Sequence, residues 1–97
     1  MKFAQVIELK TGRLDEIMEL DQEWTERTEG ARPYSVEFWG TDRDRPDTYV
    51  GIVVWDSYED AQKNNDLPAT HDFATRMAEL CDEPPVFRNL DVLRERR

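Results

Sequence analysis

The chain has 97 residues, with 13 Lys and Arg against 22 Asp and Glu and a formal net charge of −9. An acidic surface of this strength repels phosphate backbones and anionic headgroups, which argues against nucleic acid or membrane as a partner. With 38% hydrophobic and 10% aromatic residues it can fold as one domain over residues 1–97, but a domain this short buries only roughly 60–65% of its unfolded surface, so a partner chain sharing the core would help.

The first residues, Met1 to Glu8, hold no long apolar run before the first acid. No signal peptide or membrane span is expected, and a cytoplasmic protein is the default expectation. Phe3 to Leu9 mixes aromatic and β-branched residues and predicts a strand. After the Thr11-Gly12 turn, Leu14, Ile17, Met18, Asp21 and Trp24 recur at helical spacing, with Leu20 widening the stripe. This amphipathic helix is expected to stop near Gly30, with Pro33 preventing its resumption.

Tyr34 to Gly40 alternates and predicts a second strand, followed by the polar loop Thr41 to Asp47. Thr48 to Trp55, TYVGIVVW, is the strongest strand. It is apolar on both alternating sets, so both of its faces should be covered. Ser57 is a plausible N-cap for a short helix through Asn64, with Glu59 and Asp60 at the positive end of the dipole. Pro68 cannot sit in a helix interior but is tolerated in a first turn, so a new helix restarts there with Asp66 as the expected N-cap. Phe73, Met77, Leu80 and Cys81 give that helix its apolar face. Pro84-Pro85 ends it, and Val86 to Leu93 predicts a fourth strand.

The order strand, helix, strand, strand, helix, strand predicts a split-βαβ, ferredoxin-like α+β fold. Its four strands form an antiparallel sheet with the helices on one face. The other face then needs a cover, and the same face of a second copy is the simplest one. The expectation is a homodimer through the open sheet face, a dimeric α+β barrel.

The stretch YVGIVVW running into DSYEDA resembles the antibiotic-biosynthesis-monooxygenase-like family of dimeric α+β barrels. The likeness covers the whole chain in element order and about residues 48–93 in sequence flavour; the run from DRDRP to FRNLDV is similar to a set of small, uncharacterised bacterial proteins. The superfamily includes quinone-forming oxygenases and haem-degrading enzymes. In the haem-degrading branch the resemblance implies a first-strand asparagine, a tryptophan ending the third strand and a histidine on the following helix. Trp55 matches the tryptophan, but the first strand offers Gln5 and the helix offers Asn65 where the histidine would stand, so the resemblance speaks against haem degradation. The cofactor-independent quinone-forming branch, which uses a pocket tryptophan with polar and aromatic neighbours, stays open.

His71 is the only imidazole, and it alone titrates near neutral pH when unperturbed. It is a candidate catalytic base or proton shuttle, with Asn65 beside it as a second catalytic candidate; the plainer alternative is a solvated first-turn helix residue. Trp24, Trp39, Trp55, Tyr49, Phe73 and Phe87, with Tyr34 and Phe38, either line an aromatic pocket between sheet and helices or simply form the core. Arg88, in register with Val86, Leu90 and Val92, either anchors a ligand or pairs with Glu8, Glu37 or the partner chain. Cys81 is alone, so an intrachain disulfide and a thiolate zinc cluster are excluded, and one histidine with scattered carboxylates lacks metal-ligand spacing. No metal or other cofactor is expected. The expected function is a small monooxygenase-like oxidoreductase acting on an aromatic or polyketide-like substrate in this pocket, with Trp39, Trp55, Tyr49, Phe73 and Arg88 holding it. The alternatives are a non-enzymatic binder or accessory protein for a small hydrophobic ligand, and a barrel that only assembles.

Overall fold

In chain order the elements are β1 (Phe3–Lys10), α1 (Leu14–Arg27), β2 (Ser35–Thr41), β3 (Thr48–Trp55), α2 (Tyr58–Asn65), α3 (Pro68–Glu79) and β4 (Val86–Asp91), in a computed structural model that describes residues 1–97. The sheet order is β2-β3-β1-β4, every neighbouring pair antiparallel. This is the ferredoxin-like arrangement that the alternation of strands and helices predicts.

The register settles which side chains face the helices. Gln5 pairs with Val53 and Asn89, Ile7 with Gly51 and Phe87, and Trp39 with Gly51. Because side chains alternate along a strand, these positions share one face with Phe3, Leu9, Glu37 and Trp55. The helix side holds the core: Phe3, Val53, Trp55 and Ala61 form one buried cluster and Leu9, Ile17 and Met77 another. The opposite face carries Val6, Val36, Phe38, Val54, Arg88 and Leu90, of which Val36, Phe38, Arg88 and Leu90 are exposed.

Local chemistry sets the boundaries. The Ser57 hydroxyl accepts the Asp60 backbone N–H at 3.1 Å and caps α2 as expected. α3 starts at Pro68, whose missing N–H costs nothing in a first turn. Its N-cap, however, is Leu67, with no side-chain cap, and Asp66 closes the C-terminus of α2 instead. The expected Asp66 cap therefore does not form. The two helices are only two residues apart, so the backbone of Asp66, donating to Gln62, is still completing the first helix. Gly30 (φ 82) takes the left-handed conformation just after α1, where glycine meets no steric cost. The β2–β3 loop is tied down at Arg45, which bonds Asp42 and Glu8, each at 2.8 Å. No helix is long and apolar enough to cross a membrane.

Candidate functional site

Between the sheet and helices α1 and α3 lies a cleft of about 320 Å³. Gln5, Ile7, Val53 and Phe87 form part of its sheet side, with Trp39 and Trp55 from β2 and β3. Its helical wall presents Trp24 from α1 and Phe73, Ala74 and Met77 from α3. A second lobe of about 190 Å³ shares Asp21, Trp39, Phe73 and Met77 with the first and reaches Leu9 and Tyr49.

The walls are held by aromatic packing and side-chain hydrogen bonds. Gly51 lies opposite Trp39, and a methyl group built on it would overlap the indole. Glycine there lets the ring lie against the sheet. Trp24 stacks on Phe73 with ring centroids 5.7 Å apart, and the Arg32 guanidinium sits 4.6 Å from the Trp24 ring. The Trp24 indole N–H donates to the Thr70 hydroxyl at 2.9 Å, and that hydroxyl donates to Asn64 Oδ1 at 3.4 Å. Asn64 is 6% exposed and lines the cleft, with its side-chain oxygen turned to the Thr70 hydroxyl.

Two carboxyls also line the cleft. Asp21 comes from α1 and Glu37 from β2, where Glu37 accepts the Trp39 indole N–H at 3.2 Å. Burial pushes both above the usual carboxylate range. The negative charge of Asp21 raises Glu37 further, while the Trp39 hydrogen bond and the charge of Arg32 pull it back; Arg32 also restrains Asp21. Glu37 as a residue is exposed in the single chain, whereas Asp21 is half-buried. The residues lining this cleft include no Lys or Arg.

Of the residues singled out from sequence, His71, Asn65, Trp39, Trp55 and Phe73 all border the main cleft. His71 is exposed, at the edge of the α3 face formed by Thr70, Phe73, Ala74 and Met77, so the restarted helix puts it at the rim and not on the floor. Tyr49 lines the second lobe. Arg88 does not reach the cleft. It pairs with Val6 on the open face, while its neighbour Phe87 points to the helices. The apolar register that Arg88 shares with Val86 and Leu90 is the open face, so its placement as an inward ligand anchor is corrected. Nor does it pair with Glu8, whose ion-pair partner is Arg45. Phe38 shares the open face, and exposed Tyr34 lies outside both lobes.

The sequence reading missed Asp21, Glu37, Asn64 and Thr70 as cleft residues. The signal for Asp21 was an acid inside an apolar helical stripe, and for Glu37 its placement on the same alternating set as Trp39. No set of three or more His, Cys, Asp and Glu side chains is grouped to hold a metal ion.

No protein-family profile and no curated protein matches the sequence. Solved structures do match along nearly its whole length. SnoaB, a cofactor-independent oxygenase from Streptomyces nogalater, superposes with a TM-score of 0.81 at 15% identity, over 97% of this chain and 95% of that one. A Caulobacter crescentus protein provisionally named an antibiotic biosynthesis monooxygenase gives 0.81 at 14%, over 96% and 91%. A dimeric ferredoxin-like protein of unknown function from Jannaschia gives 0.77 at 14%, over 95% and 100%. At these identities the likeness is one of fold: the chain adopts the ferredoxin-like fold of the antibiotic-biosynthesis-monooxygenase-like proteins.

Proposed function

We propose that the protein is a homodimeric, cofactor-independent monooxygenase-like oxidoreductase acting on a flat aromatic or polyketide-like substrate. The observation that carries this is the cleft itself, walled by three tryptophans and Phe73, with Asn64, Asn65 and His71 bordering it. Aromatic walls hold a planar ring by stacking, and a few converging polar groups orient it. The chemistry needs little more when the substrate is an electron-rich methylene between two rings. His71 at the rim takes a proton from that carbon, and the asparagine amides stabilise the negative charge left on the conjugated oxygen. The carbanion reduces O₂ and forms a C–O bond, giving a peroxide anion that takes the proton back and becomes a hydroperoxide. Loss of water from the hydroperoxide leaves a carbonyl, so CH₂ and O₂ become C=O and H₂O. The likeness to SnoaB in fold supports this class of reaction.

The dimer is part of the proposal. The open sheet face exposes Val36, Phe38 and Leu90, with Val6, Ile52 and Val54 among them. Two such faces stacked about 10 Å apart would bury one another and close the barrel.

The test is conversion of an anthrone to its anthraquinone, followed by absorbance against the spontaneous rate. Wild type should accelerate it, Trp55→Phe should weaken it, and His71→Ala should lower kcat at least tenfold. Unchanged turnover in both variants would sink the assignment of the site. The exposed position of His71 favours one other reading, a protein that binds the same ligand without turning it over. Saturable binding with no acceleration would select that reading.

A further inference from the structure

We propose that Asp21 and Glu37 work together as the acid–base pair that breaks the O–O bond in the second half of the reaction. One carboxyl, protonated, gives its proton to the departing oxygen while the other, ionised, takes the remaining proton from carbon. This rests on the oxygenase reading above and assigns the step for which that reading has no residue.

The step sets its own requirements. From hydroperoxide to ketone, a C–H and an O–O bond break while the C=O and an O–H bond form. The C–H electron pair becomes the second bond of the carbonyl, and the O–O pair leaves with the distal oxygen. Carbon is oxidised and peroxide oxygen reduced, with no outside oxidant. The departing hydroxide needs a proton as it leaves, and the carbon needs a base at the same moment. His71 has by then returned its proton and is neutral, and asparagine amides are not acids. The Tyr49 phenol lines only the second lobe. The other titratable groups on the main cleft are Asp21 and Glu37. After the step the pair still holds one proton, moved from one carboxyl to the other, so it is ready for the next turnover.

The placement of the two acids meets these requirements. Asp21 stands on α1 and Glu37 on β2, so the carboxyls reach the cleft from helix and from sheet. Glu37 accepts the Trp39 indole N–H at 3.2 Å through one oxygen, which leaves the other free. That indole lies against Gly51, so the sheet fixes the ring that orients the carboxyl. No ion pair in the chain includes either acid. Arg45 is taken by Asp42 and Glu8, and Arg76 by Glu23 and Asp72. Arg32 lies over Trp24 and donates to the Thr28 hydroxyl, so it tempers the two carboxyls by charge alone. The negative charge of Asp21 makes Glu37 harder to ionise, which helps the pair retain a proton that two separate surface carboxylates would lose. Acids left without a cation in an aromatic cleft suit a proton-transfer role and serve no packing role.

The experiment follows anthrone in two channels at once, O₂ uptake at an electrode and anthraquinone by absorbance, each against the spontaneous rate. Asp21→Asn and Glu37→Gln remove proton transfer at nearly constant shape. Each should cut quinone formation about a hundredfold while O₂ uptake continues. A hydroperoxide two oxygen atoms heavier than anthrone should then accumulate in the mass spectrum. His71→Ala should instead slow both channels together, as would a merely structural defect. Glu37→Gln decides the matter if Asp21→Asn does not fold, since its Tm at pH 7 should exceed that of wild type. Quinone forming at the wild-type rate in both variants, or both channels falling together, would overturn the inference and leave the oxygenase reading standing. If wild type accelerates neither channel, that reading falls and the inference with it.

Discussion

At the scale of the residue, the carboxyls of the cleft are held there against their own preference. Burial raises Asp21 and Glu37 above the usual carboxylate range, so the folded state binds their protons more tightly than the unfolded chain does. Such groups weaken the fold progressively as pH rises from the ordinary carboxylate values through the raised ones, and the cost is complete only above the raised ones. Glu37→Gln should therefore raise Tm at pH 7, and the difference from wild type should shrink as pH falls through the carboxylate range. A domain of this size gains about 4–8 °C per kcal/mol, so thermal melts at several pH values can follow it. A lower Tm for the variant at pH 7 would contradict the placement of Glu37. Asp72 behaves in the opposite way. Hydrogen bonds from Arg27, at 2.9 Å, and from Arg76 hold it below the ordinary value, so its contribution is present at neutral pH and fades as pH falls through the acid range. Gly51 is a second sensitive position. A Gly51→Ala change would push the Trp39 indole off the sheet, with a destabilisation of about 1–3 kcal/mol and weaker binding of any flat ligand. Urea unfolding and isothermal titration with a flat aromatic ligand read the two effects separately.

At the scale of the element, caps and registers explain where sequence reasoning succeeds and where it fails. The strands and helices are legible because β3 is apolar in a continuous run and α1 has a helical stripe, and Ser57 caps α2 by the side-chain hydrogen bond its position suggests. Asp66 looked equally suited to cap α3, but two residues are too short a link for it to leave α2 and begin α3 as well. These two residues give a paired prediction. Ser57→Ala should cost about 1 kcal/mol of stability, as loss of an N-cap does, whereas Asp66→Ala should be nearly neutral. Chemical denaturation of the pair checks it, and equal losses would restore Asp66 as a cap. The site was only half legible for a related reason. Trp39, Trp55 and Phe73 announce themselves as large rings in helix-facing registers. In β4, however, Phe87 and Arg88 both have apolar companions on their own alternating sets or across the strand, and only pairing with β1 decides which of them faces the helices. Asp21 was hidden by its apolar neighbours, since a single acid in a buried stripe reads as tolerated exposure until the sheet beneath it is known.

At the scale of the molecule, one sheet presents two apolar faces with different fates. One is covered by the chain's own helices and encloses the cleft. The other leaves Val36, Phe38 and Leu90 exposed, and its burial by a second copy is the proposed reason a chain of 97 residues can keep a hollow core. Light scattering after size exclusion should give a dimer at micromolar concentration, and Phe38→Glu should convert it to a less stable monomer. A wild-type monomer would remove the shared barrel from the account while leaving the cleft in place. The cleft itself is tested most directly by nitrogen-proton NMR of the three tryptophan indoles during titration with 3-hydroxyxanthone. A ligand lying between sheet and helices must shift the indole signals of Trp39 and Trp24 and leave the backbone amides of Val36, Phe38 and Leu90 largely unmoved. Shifts confined to those open-face amides, with all three indole signals unchanged, would contradict it.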